Sequence, residues 1–286
     1  MFGKIIKTFR ESNGFSQSNF VEIIQRSSHD FKKLDVVTLS RWERGITTPH
    51  LKRQNELLDI LGADIFDVWG DKFSENNSIE LKNKINNNGY FNLVSLIKPE
   101  IKIINSNNSH VLAEVINLID VIFEYEGNLI FEHLEATGLS RQSIVEKVID
   151  QYAGEMTLIT VNGQLLGHLI SADLKLMIDL FKEDTDFSNE KDLLILSFNC
   201  THDYIFSNLI GKEVYRYLHS TNPKRKLYVL LKNKRMFDLF FFLGFDYKTI
   251  KNKSISMKMM FTRSSEIKSK RVWMEIVSKF KEKSNV

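Results

Sequence analysis

Arg41 lies in the run Thr38-Leu39-Ser40-Arg41-Trp42-Glu43-Arg44-Gly45. Its guanidinium suits two hydrogen bonds to a guanine edge in a major groove. Val36, Val37 and Thr38, just before it, offer methyl groups to thymine. A helix set end-on in the groove reads bases with its first two turns, and these four residues occupy them. Elsewhere, Cys200 and His202 are a nucleophile type and a base type two residues apart. No third residue is evident to orient the histidine, and a lone cysteine is usually buried and inert. His133 and His168 are isolated, so no metal constellation is expected.

The elements around Arg41 read as short helices. Phe2, Ile5, Ile6 and Phe9 form an apolar stripe at helical spacing, and Asn13-Gly14 stops it. Ser16 suits the cap of a second helix through Gln25, with Phe20, Val21, Ile23 and Ile24 apolar. A polar stretch from Ser27 to Lys33 breaks the pattern. Asp35 suits the cap of a third helix that stops at Gly45, with Leu39 and Trp42 on its core side. Pro49 prevents immediate restart. A fourth helix carries Leu51, Leu57, Leu58, Ile60 and Leu61, and a fifth holds Ile65, Phe66, Val68 and Trp69.

Five such helices, with Phe15-Ser16-Gln17, Thr38 to Gly45, Thr48-Pro49 and Leu57 to Gly62, resemble the phage-repressor and Cro (XRE) family of helix-turn-helix domains. The resemblance covers about a quarter of the chain. It implies a bacterial transcription regulator that binds double-stranded DNA, with two copies on a two-fold site. It further implies that Gln17 clamps a phosphate and that Thr47, Thr48, Lys52 and Arg53 grip the backbone, fixing register. One departure is about seven extra residues, around His29 to Lys33, between the second and third helices. A helical bundle that binds protein instead, as an antitoxin-like module, is the alternative.

Length and composition set the frame. The 286 residues are enough for two domains, and 43% hydrophobic with 26% charged is the make-up of a globular chain. No apolar run reaches bilayer length and the first residues show no signal peptide, so a cytoplasmic protein is expected, without a membrane. With one cysteine there is no internal disulfide and no cysteine-based zinc cluster. Residues 1–70 hold 10 Lys/Arg against 9 Asp/Glu, which leaves phosphate contacts few per domain. Residues 248–286 hold 11 against 3, a basic segment suited to a solvated face or an acidic partner.

The expected order is a helical domain over 1–70, an asparagine-rich linker over 71–98, an α/β domain over 99–263 and a basic amphipathic helix over 264–286. In the third part, strands are expected at Ile101–Ile104, Leu193–Phe198, Leu227–Leu231 and Ile255–Phe261. Helices are expected at Val111–Phe123, after Ser140, at Ile205–Leu218 and at Met236–Leu243. Asn162-Gly163 between Thr157–Val161 and Gln164–Ile170 predicts a hairpin. This order, with Asn233 to Phe245 ending in Leu-Gly-Phe and with Gly163 and Gly167 in the hairpin, resembles the GNAT acyltransferase fold. The fold class is then multidomain: a five-helix α domain plus a GNAT-like mixed β-sheet flanked by helices.

That family holds acetyl-CoA on a glycine-rich turn and a helix N-terminus, where backbone N–H groups meet the pyrophosphate. The corresponding stretch, Asn199 to Asn208, has no glycine. Tyr204, Ile205 and Phe206 would crowd the phosphates and Asp203 would repel them. The family's general-acid tyrosine falls on Phe240, which has no proton to give. The resemblance therefore implies a domain without transferase chemistry, with no cofactor and no catalytic residue, which senses a small molecule, meets a protein ligand or dimerises. An active acetyl-CoA-dependent N-acyltransferase with a DNA-targeting domain is the alternative. Phe240-Phe241-Phe242 reads as core or as pocket lining. Trp273, Ile276, Val277 and Phe280 share one helical face, expected to pack on its own domain or on a second subunit, with the homodimer contact favoured.

Overall fold

The computed structural model describes residues 2–69, 85, 98–181, 187, 189–220, 225–231, 234–251 and 256–284. The expected linker, 71–98, lies outside the described residues apart from Ile85 and Lys98, as does Asn233.

Five helices open the chain: α1 (Phe2–Ser12), α2 (Gln17–Ser27), α3 (Val36–Glu43), α4 (Leu51–Ile60) and α5 (Ile65–Trp69). Their starts follow local chemistry. Ser16 Oγ accepts from Asn19 N, and Asp35 Oδ1 accepts from Thr38 N at 2.6 Å, so each cap satisfies an end N–H of its helix. The extra residues before α3 form one 3-10 turn, His29–Phe31. They are anchored in the core, because Phe31 and Leu34 are buried and Gln25 Nε2 donates to Leu34 O at 2.7 Å.

Seven strands build one sheet: β1 (Glu100–Ile104), β2 (Glu155–Val161), β3 (Gln164–Asp173), β4 (Leu193–Cys200), β5 (Lys226–Leu230), β6 (Asp246–Lys251) and β7 (Ser256–Arg263). Their order is β1-β2-β3-β4-β5-β7-β6, and only β4 and β5 run parallel. The β2–β3 hairpin turns at Asn162 (φ 50°) and Gly163 (φ 76°), the left-handed pair that a two-residue turn requires. Helices α6 (Ile116–Glu126), α7 (Leu129–Glu135), α8 (Arg141–Gln151) and α9 (Lys175–Leu180) pack into the core on one face. Helices α10 (Asp203–Leu218), α11 (Lys234–Phe242), α12 (Ser264–Ser269) and α13 (Arg271–Ser284) contribute to the core on the other.

Three elements were not expected from the sequence. They are α7, α9 and the edge strand β6, whose run Asp-Tyr-Lys-Thr-Ile-Lys is too polar for a strand pattern to stand out. The expected helix Val111–Phe123 is a 3-10 stretch, Ser109–Val115, followed by α6. The expectation that the last helix covers a second subunit is corrected. Trp273, Met274, Ile276 and Val277 are buried within their own chain, where α13 packs on α10 and α5. Gly211 permits this approach, since a Cβ there would stand 3.0 Å from Ile276 O. Asn55 Nδ2 donates to Lys268 O at 2.7 Å and Lys281 Nζ to Asp64 Oδ2 at 2.8 Å, so the N-terminal helices are fastened to α12 and α13. Among the described residues no helix is long and apolar enough to cross a membrane.

Candidate functional site

Two places gather chemistry: the outer face of α3, and the gap where β4 parts from β5.

Leu39 and Trp42 are buried and turn one side of α3 inward. Val36 and Val37, 37% and 57% exposed, stand with the exposed Arg41 on the outer side, and Thr38 is half-buried. Thr47 and Thr48 are exposed on the following loop. The remaining residues expected to meet DNA are more engaged. Gln17 Nε2 donates to Glu43 Oε2 at 2.7 Å, and Arg10 Nε donates to Glu43 Oε1 at 2.6 Å. The Glu43 hydrogen bond holds the Arg10 guanidinium above its ordinary pKa. This network stitches α1, α2 and α3 together. Arg53 is turned inward, its guanidinium 5.0 Å from the Phe31 ring centre and 5.5 Å from that of Trp42, with Nη2 donating to Asp30 O. Lys52 is half-buried on the same helix. The structure thus groups Val36, Val37, Thr38 and Arg41 on one helix start, and gives Gln17 and Arg53 bonds inside the protein.

In the sheet, β4 and β5 pair at Leu193–Leu227, Leu194–Tyr228 and Ile195–Val229, then separate. Backbone groups freed inside a protein need partners. The turn between α6 and α7 supplies them: Asn128 Nδ2 donates to Leu196 O at 2.7 Å, and Phe198 N donates to Glu126 Oε1 at 3.1 Å. Gly127 between them has φ 57°, which brings both side chains to the same edge. Asn128 Oδ1 also caps α7, accepting from Ile130 N at 2.9 Å.

Glu126 Oε2 lies 3.1 Å from His168 Nε2 and accepts from the Ser197 hydroxyl. His168 Nε2 is in turn 2.9 Å from Ser197 Oγ, and both residues are buried. Burial alone would push the Glu126 carboxyl up. The bonds from His168, Ser197 and the Phe198 N–H outweigh it and hold the group below the usual carboxylate range. Glu126 and Asn128 line a cavity of about 540 Å³, walled also by Leu230, Phe237 and Lys258. In the sequence His168 stands as an isolated histidine and nothing singles out Glu126. The one local signal was a Glu-Gly-Asn turn at a helix end.

On the other face of the gap, Phe198, Phe206 and Phe240 pack edge to face or tilted with ring centres 5.7–6.0 Å apart, all three buried. Phe240 is core, as one of the two readings had it, while Phe241 is 57% exposed and Phe237 lines the cavity. At the start of α10, Thr201 N and Oγ1 both donate to Leu166 O, and Asp203 sits in the first turn without a side-chain cap. These residues do not fit the diphosphate of coenzyme A: there is no glycine, a carboxylate stands at the helix start, and the space behind is filled by rings. Cys200 is buried and burial pushes its thiol well up, which disfavours the thiolate, while His202 Nδ1 lies 2.7 Å from Thr201 Oγ1.

No family model matches the chain, and no curated protein is similar to it. Solved structures are similar to this chain over about 60% of its length. An uncharacterised protein from Bacillus halodurans is 13% identical, covers 63% of this chain and 92% of its own, and has a TM-score of 0.44. An N-acetyltransferase from Staphylococcus aureus Mu50 is 13% identical over 58% of this chain and 97% of its own, with a TM-score of 0.37. An aminoglycoside acetyltransferase in complex with coenzyme A is 15% identical over 61% and 99%, with a TM-score of 0.39. Against the expectation of a chain that is not an enzyme, several of the structures it is similar to are acetyltransferases. The seven-strand mixed sheet with its helices is an α/β fold.

Proposed function

We propose that the protein is a sequence-specific DNA-binding regulator of the helix-turn-helix type, with α3 in the major groove. One observation carries this reading. A helix capped by Asp35 and held from behind by Leu39 and Trp42 leaves Val36, Val37 and Arg41 exposed at its leading end. Arg41 donates to a guanine, the valine and threonine methyl groups meet thymine, and Thr47, Thr48 and Lys52 meet phosphates. Gln17 and Arg53 hold the helices that present them. Two copies bind a two-fold site. A mobility-shift titration on a duplex selected from random sequence tests it. Arg41→Ala is expected to weaken binding by about 1–3 kcal/mol, roughly 5- to 150-fold. Equal binding by the variant overturns the assignment of Arg41 as a reader.

A second reading is transfer of an acyl group to an amine bound in the sheet cavity, targeted by the DNA-binding helices; the glycine-free start of α10, with Asp203 in its first turn, stands against coenzyme A as the donor. The parting of β4 from β5 beside a cavity that holds an ionised carboxylate favours it. Calorimetric titration with acetyl-CoA checks it. Binding heat with a thermal shift supports this reading, and the absence of both removes it.

A further inference from the structure

We infer that the cavity between α7, α11 and the end of β5 is a binding site for a small zwitterion, a molecule with one amine and one acid group. The inference deepens the acyl-transfer reading, in which this molecule is the acceptor, and its argument rests on the cavity.

Glu126 gives the cavity wall an anionic group. An ionised carboxylate offers about four lone-pair positions and no donor. Among the described residues, three are taken at Glu126: Phe198 N on Oε1, and His168 and Ser197 on Oε2. One position on Oε1 is left for a donor in the cavity that Glu126 lines. The Glu126 side chain is only 15% exposed, so a cation that reaches it meets a charge little screened by water. An ammonium group, with three N–H donors, answers both conditions.

Lys258 gives the same wall a cationic group. Lys234 and Asp238 also line it, one turn apart on α11, at the spacing at which opposite charges offset each other. Lys258 is then the net charge. Its ammonium lies 5.5 Å from the ring centre of Phe237 and 5.0 Å from that of Tyr247, and the two rings meet edge to face at 5.3 Å. Cation–π contact steadies the lysine at the wall while leaving its N–H groups for an acid group. Leu129, Ile130 and Leu230 line the same cavity and suit a methylene chain. At about 540 Å³ the space is in the range of small-molecule sites.

Titration calorimetry on the full chain tests this, with 4-aminobutanoate, 6-aminohexanoate and 8-aminooctanoate as probes and with hexylamine and hexanoate as half-probes. One of the amino acids is expected to bind at least tenfold more tightly than either half-probe. Lys258→Met, an exposed change that the fold tolerates, is expected to lower its affinity at least fivefold and leave hexylamine unaffected. Glu126→Gln is expected to weaken the amino acid and hexylamine and leave hexanoate unaffected. Half-probes as tight as the amino acids, no binding by any of them, or a Lys258→Met affinity equal to that of the parent chain each overturn the inference. Failure of acetyl-CoA to bind while an amino acid binds removes acyl transfer and leaves the zwitterion site standing. The reverse result removes the site alone.

Discussion

At α3 the side chains expected to meet a ligand stand in solvent, whereas at the parted edge of β4 the groups that would meet one are bonded within the chain. Val36 and Val37 are β-branched residues exposed on the first turn of a helix, a place where they gain nothing from burial. The helix can leave them out because its own N–H groups are satisfied by Asp35 and its turns. The strand has no such freedom. Leu196 and Phe198 are buried, and their freed carbonyl and N–H would be costly without partners, so Asn128 and Glu126 are spent on them. A ligand surface on a helix exterior costs little to keep open. A ligand surface inside a sheet must be compensated until the ligand arrives.

The largest effect expected from this contrast is in packing. Phe240→Ala removes a fully buried ring from contact with Phe198, Phe206 and Phe245 and is expected to cost about 3–5 kcal/mol in a urea melt. Val37→Ala on the open face is expected to stay within about 0.5 kcal/mol. A loss under about 1 kcal/mol at Phe240 would mean that the rings do not fill that side of the gap. The contrast between a filled and an open site would then collapse.

Two glutamates, Glu126 partly buried and Glu213 fully buried, sharpen the comparison through pH. Glu126 has its charge met by three hydrogen-bond donors and its pKa lowered. Glu213, on α10, has its pKa raised, by burial first and against Arg216 and Lys212, and its Oε1 has no hydrogen-bond partner among the described residues. The signs are therefore opposite. Stability from Glu126 is present above the ordinary carboxylate range and is lost as pH falls through the lowered folded value. Stability linked to Glu213 is full below that range and is lost as pH rises through the raised folded value. Glu126→Gln is expected to cost about 1–3 kcal/mol at neutral pH, the difference from the parent shrinking in strong acid. Glu213→Gln is expected to match the parent in acid and to gain on it as pH rises. Urea melts across this range read both, and parallel pH profiles for the two variants would refute the assignment of opposite environments.

How much of this was legible in the sequence follows the same division. The five helices, both serine and aspartate caps and the exposed residues of α3 follow from short-range signals: a cap residue, a period of apolar positions, a stop at glycine. The Asn162-Gly163 hairpin was legible for the same reason. Phe31 was hidden because it stands alone in a polar stretch, although Arg53 and the helix core close over it. The cluster at the gap was hidden because its members, Glu126, His168 and Ser197, come from a helix end and two strands. No spacing rule joins residues 42 and 71 positions apart. Trp273 and its neighbours showed an apolar face, but a face does not say what covers it. The cover turned out to be α10 and α5 of the same chain.

The smallest effect tests the clamp itself. Asn128 does two things: its Oδ1 caps α7 at Ile130 N, and its Nδ2 meets Leu196 O. Asn128→Asp keeps the cap acceptor, loses the donor and sets a carboxylate against the carbonyl. It is expected to cost about 0.5–1.5 kcal/mol, the worth of one ordinary hydrogen bond. Asn128→Ala loses both functions and is expected to cost about a further 1 kcal/mol for the cap. The Asp variant tests the bond across the gap with the cap acceptor kept, and the Ala variant removes both bonds without adding a charge. If the Asp variant were as stable as the parent, Leu196 O would be satisfied from elsewhere. The β4 edge would then be no more committed than the face of α3, and the gap would be open to a ligand without displacing anything.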